Sequence, residues 1–375
     1  MSSVTASERD ERHLRRAIEL AAEAHGRTSP NPLVGAVVVK GGRSIGEGFH
    51  AAAGEPHAEL MALASCGEDP TGATLYVSLE PCAHEGRTPP CTEAIVRAGI
   101  RRVVVASDDP STKASGRSLG VLRDEGIAVD FAGDGAAVAA RLLNQPFRKH
   151  AKTGRPLVIL KQAMTLDGKV ATSTGDSKWI SSEASRARSH RWRSEVDAVA
   201  AGIGTALSDD PRLTSWMHEG GEGRGRRVIF DSEARLPVSS QLVQTAGEVQ
   251  VTVVCSRAAS RHTTEALVAA GVEVITVTGE NEGARVAAAL TELGSRDVQS
   301  VLLEGGPHLA GAFFDAGEID EVRTFIAPML AGGRQARAPI EGQGVEAIGA
   351  APRAVYTDVE RIEEDVLICA RLREW

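Results

Sequence analysis

Residues 75–99 read LYVSLEPCAHEGRTPPCTEAIVRAG. The opening is rich in β-formers and predicts a strand; the close, CTEAIVRAG, predicts a helix that starts near Pro90 and ends at Gly99. Between them lie Cys82 and Cys91, each directly behind a proline. Strand, thiol-bearing loop and helix make one unit of an α/β layer, and the flanking sequence continues the alternation. Leu14, Ala17, Ile18, Ala21 and Ala24 have helical spacing over residues 11–25. Leu33–Lys40 and Ser44–His50 read as two strands joined at Gly41-Gly42, and HAELMALAS as a helix with Pro56 in its first turn. RRVVVAS is a further strand, and SLGVLRDEGIAVDFA reads as helix, turn and strand.

The chain has 375 residues, which suits about two domains. The basic, proline-bounded stretch QPFRKHAKTGRPL places the boundary, giving domains 1–150 and 151–375. Strand candidates resume with VDAVAAGIG, RRVIFDS, VQVTVVC, VEVITV and VQSVLLEGG, interleaved with helical runs such as EGARVAAALTELG and LAGAFFDAG. Both halves are therefore α/β. A net charge of -8 argues against a general nucleic-acid binder. No apolar run is long enough to span a bilayer, and the polar start lacks a signal-peptide core, so a cytoplasmic protein is expected.

The cysteines are Cys66, Cys82, Cys91, Cys255 and Cys369. An odd, sparse set in a long chain argues against a disulfide framework and leaves metal binding or unrelated buried thiols. Upstream lies GEPHAEL, with His57 and Glu59. One imidazole and two thiolates supply three zinc ligands and leave the fourth position open, as a catalytic zinc requires. Both ligand groups are expected at helix starts, where the dipole favours thiolate over thiol. Glu59 is poorly placed as a ligand and well placed to carry a proton. His-x-Glu followed by paired Pro-Cys is the arrangement of the zinc nucleobase deaminases.

Eight residues separate the cysteines, where many such deaminases have two. With PNPLVGAVVV, GEGFHAAAGEPHAE and SLEPCAHEGRTPPC, the amino-terminal half resembles the deaminase domain of the bacterial bifunctional riboflavin-biosynthesis deaminase/reductases. That resemblance implies that Asn31, His50, His84 and Arg87 contact a pyrimidine ribosyl phosphate. Residues 157–372 resemble the reductase domain of the same family through TLDGK, STGDSKWIS, GIGTALSDDPRLT, FDS and LLEGGPHLAG. The implied folds are a cytidine-deaminase-like α/β/α layered domain and a dihydrofolate-reductase-like α/β domain. The implied cofactors are Zn2+ in the first and NADPH in the second; no Rossmann glycine fingerprint is present. Ala163, Trp179, Thr205, Asp209, Ser232, Gly306, Pro307, His308 and Leu309 would contact NADPH. Lys161, Ser177, Arg193, Leu213 and Glu304 would face the substrate, with Lys161 and Glu304 as the polar pair beside the reacting carbon.

The resemblance implies two consecutive steps, deamination and then reduction of the ribosyl side chain to ribityl, in a homodimer or higher homo-oligomer paired through the reductase domain. Two positions depart from the family pattern. Asp109-Pro110-Ser111-Thr112 stands where Asp-Pro-Asn-Pro is usual, and Trp216 where an arginine grips phosphate. Arg212 or Arg186 would have to compensate, and restoring arginine at 216 is expected to lower the apparent substrate constant. Trp216 keeps open a monofunctional deaminase with an impaired reductase domain; a zinc-stabilised scaffold would have no use for Glu59.

Overall fold

The computed structural model describes residues 6–83, 90–112, 116–214 and 225–375. The chain divides into two compact units, one ending at Thr153 and the other spanning Gly154–Glu374.

The first unit begins with α1 (Ala6–Ala22), the antiparallel pair β1 (Gly35–Lys40) and β2 (Arg43–Phe49), and α2 (Ala58–Ala64). β3 (Thr74–Val77), α3 (Cys91–Arg97), β4 (Arg102–Val105), α4 (Arg117–Asp124) and β5 (Ala128–Phe131) follow, then α5 (Asp134–Leu143) and α6 (Gln145–Thr153). The sheet order is β2-β1-β3-β4-β5. Both faces are covered, so strands read as continuous apolar runs. On β1, Ala36 and Val38 join Ala58 and Ala62 of α2, Ile95 of α3 and Leu122 of α4. Val37 and Val39 pack on the opposite face with Leu14 and Ala17 of α1 and Ala136 and Ala140 of α5. This is the expected α/β/α layering.

Two local readings differ. Pro56 lies just outside its helix, because His57 is the cap, in extended conformation (φ -70°, ψ 159°). QPFRKHAKT, where the sequence places the domain boundary, is α6. Pro146 is tolerated in its first turn, and Arg148 is buried, donating to Ser107 Oγ (3.1 Å) and the Asp108 carbonyl (2.8 Å).

The second unit starts with β6 (Leu157–Thr165), α7 (Glu183–Glu195), β7 (Ala198–Gly202), α8 (Ile203–Asp209), β8 (Arg226–Phe230) and α9 (Gln241–Gln244). It continues with β9 (Val251–Cys255), α10 (Arg261–Ala269), β10 (Glu273–Thr276), α11 (Glu282–Gly294), β11 (Ser300–Leu303) and α12 (Pro307–Asp315). β12 (Glu321–Ala327) and the hairpin of β13 (Tyr356–Ile362) and β14 (Asp365–Arg371) complete it. The sheet order is β10-β9-β8-β7-β11-β6-β12-β14-β13, parallel from β10 to β12. Its larger core joins Val158, Ala200, Val228 and Leu303 to Leu290 and Leu293 of α11 and Phe313 of α12. The chain steps outward from β7 to β10 and then returns to insert β11 between β7 and β6. The strand order thus reverses at β7/β11, where open α/β sheets leave a ligand crevice at the carboxyl ends of their strands. This is the dihydrofolate-reductase-like unit expected of the carboxy-terminal half. No helix among the described residues is long and apolar enough to cross a membrane.

Candidate active sites

The first site is assembled by three chain segments. His57 caps α2, Cys82 follows the turn after β3, and Cys91 opens α3. The Sγ atoms lie 3.4 Å apart, and His57 Nδ1 is 3.2 Å from Cys91 Sγ and 3.5 Å from Cys82 Sγ. A tetrahedral zinc with bonds of the usual length has ligand–ligand edges of about 3.6 Å, so the donors fit such an ion. The contact with the Cys91 thiol, helped by the Cys91 backbone N–H that donates to Cys82 Sγ at 3.3 Å, holds the Cys82 thiol well below its usual range. The same thiol bond, with burial, holds Cys91 above the usual thiol range. Binding a metal would displace that proton. His57 is pushed up chiefly by Cys82.

Glu59, in the first turn of α2, is only 3% exposed. Burial, reinforced by the neighbouring Cys82, pushes its carboxyl up to about 7. A carboxyl poised near neutrality suits proton transfer in both directions. His50 is also buried, and burial lowers its basicity. Its Nδ1 lies 3.1 Å from the Pro56 carbonyl, which assigns the proton to Nδ1 and leaves Nε2 to accept from Asn31 Nδ2 at 3.1 Å. The His50 and His57 rings meet edge to face at 5.5 Å. Asn31, His50, His57, Cys82 and Cys91 therefore form one cluster; His84 and Arg87 lie outside the described residues. At the first departure, Asp109 turns inward and accepts the Ser111 N–H at 2.7 Å, and burial raises its carboxyl.

Glu80 was not singled out in the sequence. Buried just before Pro81-Cys82, it accepts from Ser118 Oγ (2.7 Å) and the Gly116 N–H (3.1 Å) at the start of α4. It fixes the turn that delivers Cys82, and its position directly before the Pro-Cys pair was the one available signal.

The second site is a cavity of about 1260 Å³ at the carboxyl ends of the parallel strands. It is larger than most small-ligand pockets, which run to about 1,000 Å³. Lys161, Ala163, Ser177, Thr205, Asp209, Ser232, Glu304, Gly306, Pro307, His308 and Leu309 all line it. Gly202, Gly204, Gly305 and Gly306 present bare backbone beside the strand-order reversal, and Pro307 opens α12 behind Gly306 as cap. A backbone cradle of this kind fits a pyrophosphate.

Glu304 extends from β11 and is clamped by Arg193 of α7 through paired bonds of 2.7 and 2.8 Å, with Lys161 Nζ at 3.8 Å. Burial alone would raise this carboxyl; Lys161 and Arg193 outweigh it and hold it at about 2. Arg193 therefore serves Glu304 and is not among the cavity's lining residues. Leu213 is buried with φ +49° and Trp179 is exposed with φ +64°, its ring under the Arg186 guanidinium at 4.5 Å; neither lines the cavity. Trp216 lies outside the described residues. Arg235, Ser256 and Arg285 line the cavity and were not singled out, since no motif marks them and only the fold brings them together.

Comparison with known proteins finds matches for both halves of the chain. Residues 7–107 match the cytidine and deoxycytidylate deaminase zinc-binding region, and residues 156–368 match the RibD C-terminal domain. The riboflavin biosynthesis protein RibD of Aquifex aeolicus is 41% identical, over 96% of this chain and 97% of its own. That of Actinobacillus pleuropneumoniae is 40% identical, over 95% and 93%. A solved structure from Thermotoga maritima is described as a diaminohydroxyphosphoribosylaminopyrimidine deaminase/5-amino-6-(5-phosphoribosylamino)uracil reductase. It superposes with a TM-score of 0.84 at 36% identity, covering 98% of this chain and 99% of its own. Fold and sites thus define a zinc-type nucleobase deaminase domain joined to a reductase domain. The chain belongs to the RibD family of riboflavin-biosynthesis proteins.

Proposed function

We propose that this chain deaminates 2,5-diamino-6-ribosylamino-4-pyrimidinone 5'-phosphate and then reduces the ribosyl side chain, giving 5-amino-6-(5-phosphoribitylamino)uracil. The observation that carries this is the presence, in one chain, of the His57–Cys82–Cys91 donor set beside buried Glu59 and of the strand-end cavity holding Lys161 and Glu304. The family description of the Thermotoga relative names the same two activities. Relatives that match both domains over nearly the whole chain favour this reading over a monofunctional deaminase with an impaired reductase-like domain.

In the first site, His57, Cys82 and Cys91 would hold the metal. Zinc, when bound, supplies an activated water. Glu59, whose burial keeps it able to hold a proton near neutrality, would carry protons at its carboxyl to the departing amino group. Asn31 and His50 form a preset hydrogen-bonding edge for the pyrimidine, and the family resemblance assigns His84 and Arg87 to the same substrate.

In the second site, NADPH supplies the reducing equivalent. Gly306, Pro307, His308 and Leu309 would cradle its pyrophosphate, and Ala163, Thr205, Asp209 and Ser232, which line the same cavity, would complete its surroundings. Lys161 stands beside the reacting carbon, held by the Glu304 carboxylate that Arg193 orients. Ser177, on the cavity wall, would bound the substrate.

The partner is a small molecule. We further infer a cytoplasmic location, where thiolate ligands stay reduced, and a homodimer or higher homo-oligomer paired through the reductase domain. Exposed Val359 and Val366 on the outer strands favour such pairing. The test is a mass assay on the diaminopyrimidinone ribosyl phosphate, first without and then with NADPH. Exchange of NH for O, followed by a gain of two hydrogens only with NADPH, is expected. Exchange without the gain would remove the reductase assignment.

A further inference from the structure

Asn31 stands between Pro30 and Pro32. Neither proline has a backbone N–H, so those two positions cannot donate to a β-ladder. The chain between them and β1 is held by other means. The Val34 carbonyl accepts the His50 N–H at 2.9 Å, which extends the β1–β2 pair by one step. Leu33 is held by a side chain from far along the sequence. Asn144 Oδ1 accepts the Leu33 N–H at 2.8 Å, and Asn144 Nδ2 donates to the Leu33 carbonyl at 2.9 Å. One amide thus pairs with both backbone groups of one residue, as a neighbouring strand would. Turned over, it would set donor against donor and acceptor against acceptor, so its partners fix its orientation. Asn144 is 2% exposed. It ends α5, whose Ala136 and Ala140 are packed in the core, and its own carbonyl accepts the Arg148 N–H of α6 at 2.9 Å. The amide is therefore presented from a rigid corner between two helices.

We propose that Asn144 is a positioning residue for deamination: by fixing the Leu33 backbone it sets where Asn31 presents its amide to the pyrimidine. This rests on reading Asn31 and His50 as the pyrimidine-facing edge. On its amino side Asn31 is held by its own N–H, which donates to the Thr28 carbonyl at 2.7 Å. On its carboxyl side the first fixed point is Leu33, one residue beyond Pro32, whose ring locks φ and passes the position of Leu33 back to Asn31. The geometry at stake is the 3.1 Å contact from Asn31 Nδ2 to His50 Nε2. His50 does not depend on Asn144, because the Pro56 and Val34 carbonyls hold its ring and its backbone. The hydrogen bonds of the Asn144 side chain go to Leu33 and not to the metal donors or Glu59. Loss of the amide should therefore be felt in recognition of the ring rather than in the chemical step, a split that kinetics can read.

The test is steady-state deamination by the full-length, zinc-loaded protein on the diaminopyrimidinone ribosyl phosphate, for wild type, Asn144→Ala, Asn31→Ala and the double variant. Asn144→Ala is expected to raise KM by about 10-fold and to change kcat by less than about threefold, with zinc content unchanged. Because Asn144 acts through Asn31, the KM of the double variant should match that of Asn31→Ala within about twofold. Asn144→Asp keeps the acceptor for the Leu33 N–H and loses the donor to its carbonyl; it should give an intermediate KM, and it carries the test if the alanine variant does not fold. Ile127→Ala supplies the control for stability alone. Ile127 is a buried core residue at the amino end of β5, the opposite end of the sheet from the site. That variant should lower the thermal transition and keep the wild-type KM. Losses that multiply in the double variant overturn the proposal, as does a fall in kcat with KM unchanged, or a KM raised as much by Ile127→Ala. An active wild type whose KM is untouched by Asn144→Ala sinks this proposal alone. A wild type that does not deaminate this substrate sinks the deaminase reading with it.

Discussion

At the scale of single residues, the two sites use carboxylates in opposite ways. Glu59 is buried beside thiols, where burial and Cys82 outweigh the pull of His57, so its carboxyl is poised near 7. Glu304 is equally enclosed but gripped by Arg193 and Lys161, so it stays ionised. Glu59→Gln should lower deamination by about 10²- to 10⁴-fold. Zinc content should not change, because the donor set is His57, Cys82 and Cys91; loss of zinc in the variant would recast Glu59 as a structural residue. Glu304→Gln strands two cations and should destabilise the reductase unit by roughly 3–5 kcal/mol. The sign follows from a folded-state pKa of about 2 against an ordinary 4.5. The stabilisation is fully present above 4.5 and is lost as pH falls toward 2. The variant's deficit in chemical denaturation should therefore be large at pH 7 and shrink across that acid window. The metal ligands were legible in the sequence because their spacing is itself the signal. Asn144 was not, because its meaning depends on the backbone of Leu33, 111 residues away in the chain.

At the scale of elements, the position of α2 decides the first site, since this helix carries both His57 and Glu59. It lies directly on the glycines of β2. A Cβ at Gly48 would stand 2.4 Å from the Ala62 nitrogen and 2.6 Å from Met61 Cβ, and one at Gly46 2.4 Å from the Ala62 carbonyl oxygen. Backbone cannot yield as a side-chain tip can, so Gly48→Ala must push the helix off the sheet. We expect a loss of about 1–3 kcal/mol from overpacking, together with weaker zinc retention in a chelator competition. Unchanged zinc retention would show that the ligands tolerate movement of α2. Strands with continuous apolar runs were readable here because both faces are buried. The elements misread or missed have other signatures. α6 is basic and begins with proline, yet buries Arg148 through hydrogen bonds rather than an apolar face. α7 is polar along most of its length and is held by Ser185, Ser189 and Trp192. The β13–β14 hairpin alternates charged and apolar residues at the sheet edge, where little hydrophobic patterning is required.

At the scale of the molecule, each unit closes its own core and builds its own site from its own residues. The three metal donors come from three segments of the first unit, so metal binding ties α2, the turn after β3 and α3 together. Binding that selects the folded state adds to its stability. None of the cavity residues of the second unit belongs to that set. Stripping zinc from the full-length protein should therefore abolish the exchange of NH for O and lower the thermal transition of the first unit. NADPH binding, and NADPH oxidation with the deaminated intermediate supplied directly, should persist. Differential scanning calorimetry with and without chelator, run beside both assays, separates these effects. If NADPH oxidation fell in step with zinc loss, the reductase site would depend on the state of the deaminase unit, and the two activities would be thermodynamically coupled rather than merely carried on one chain.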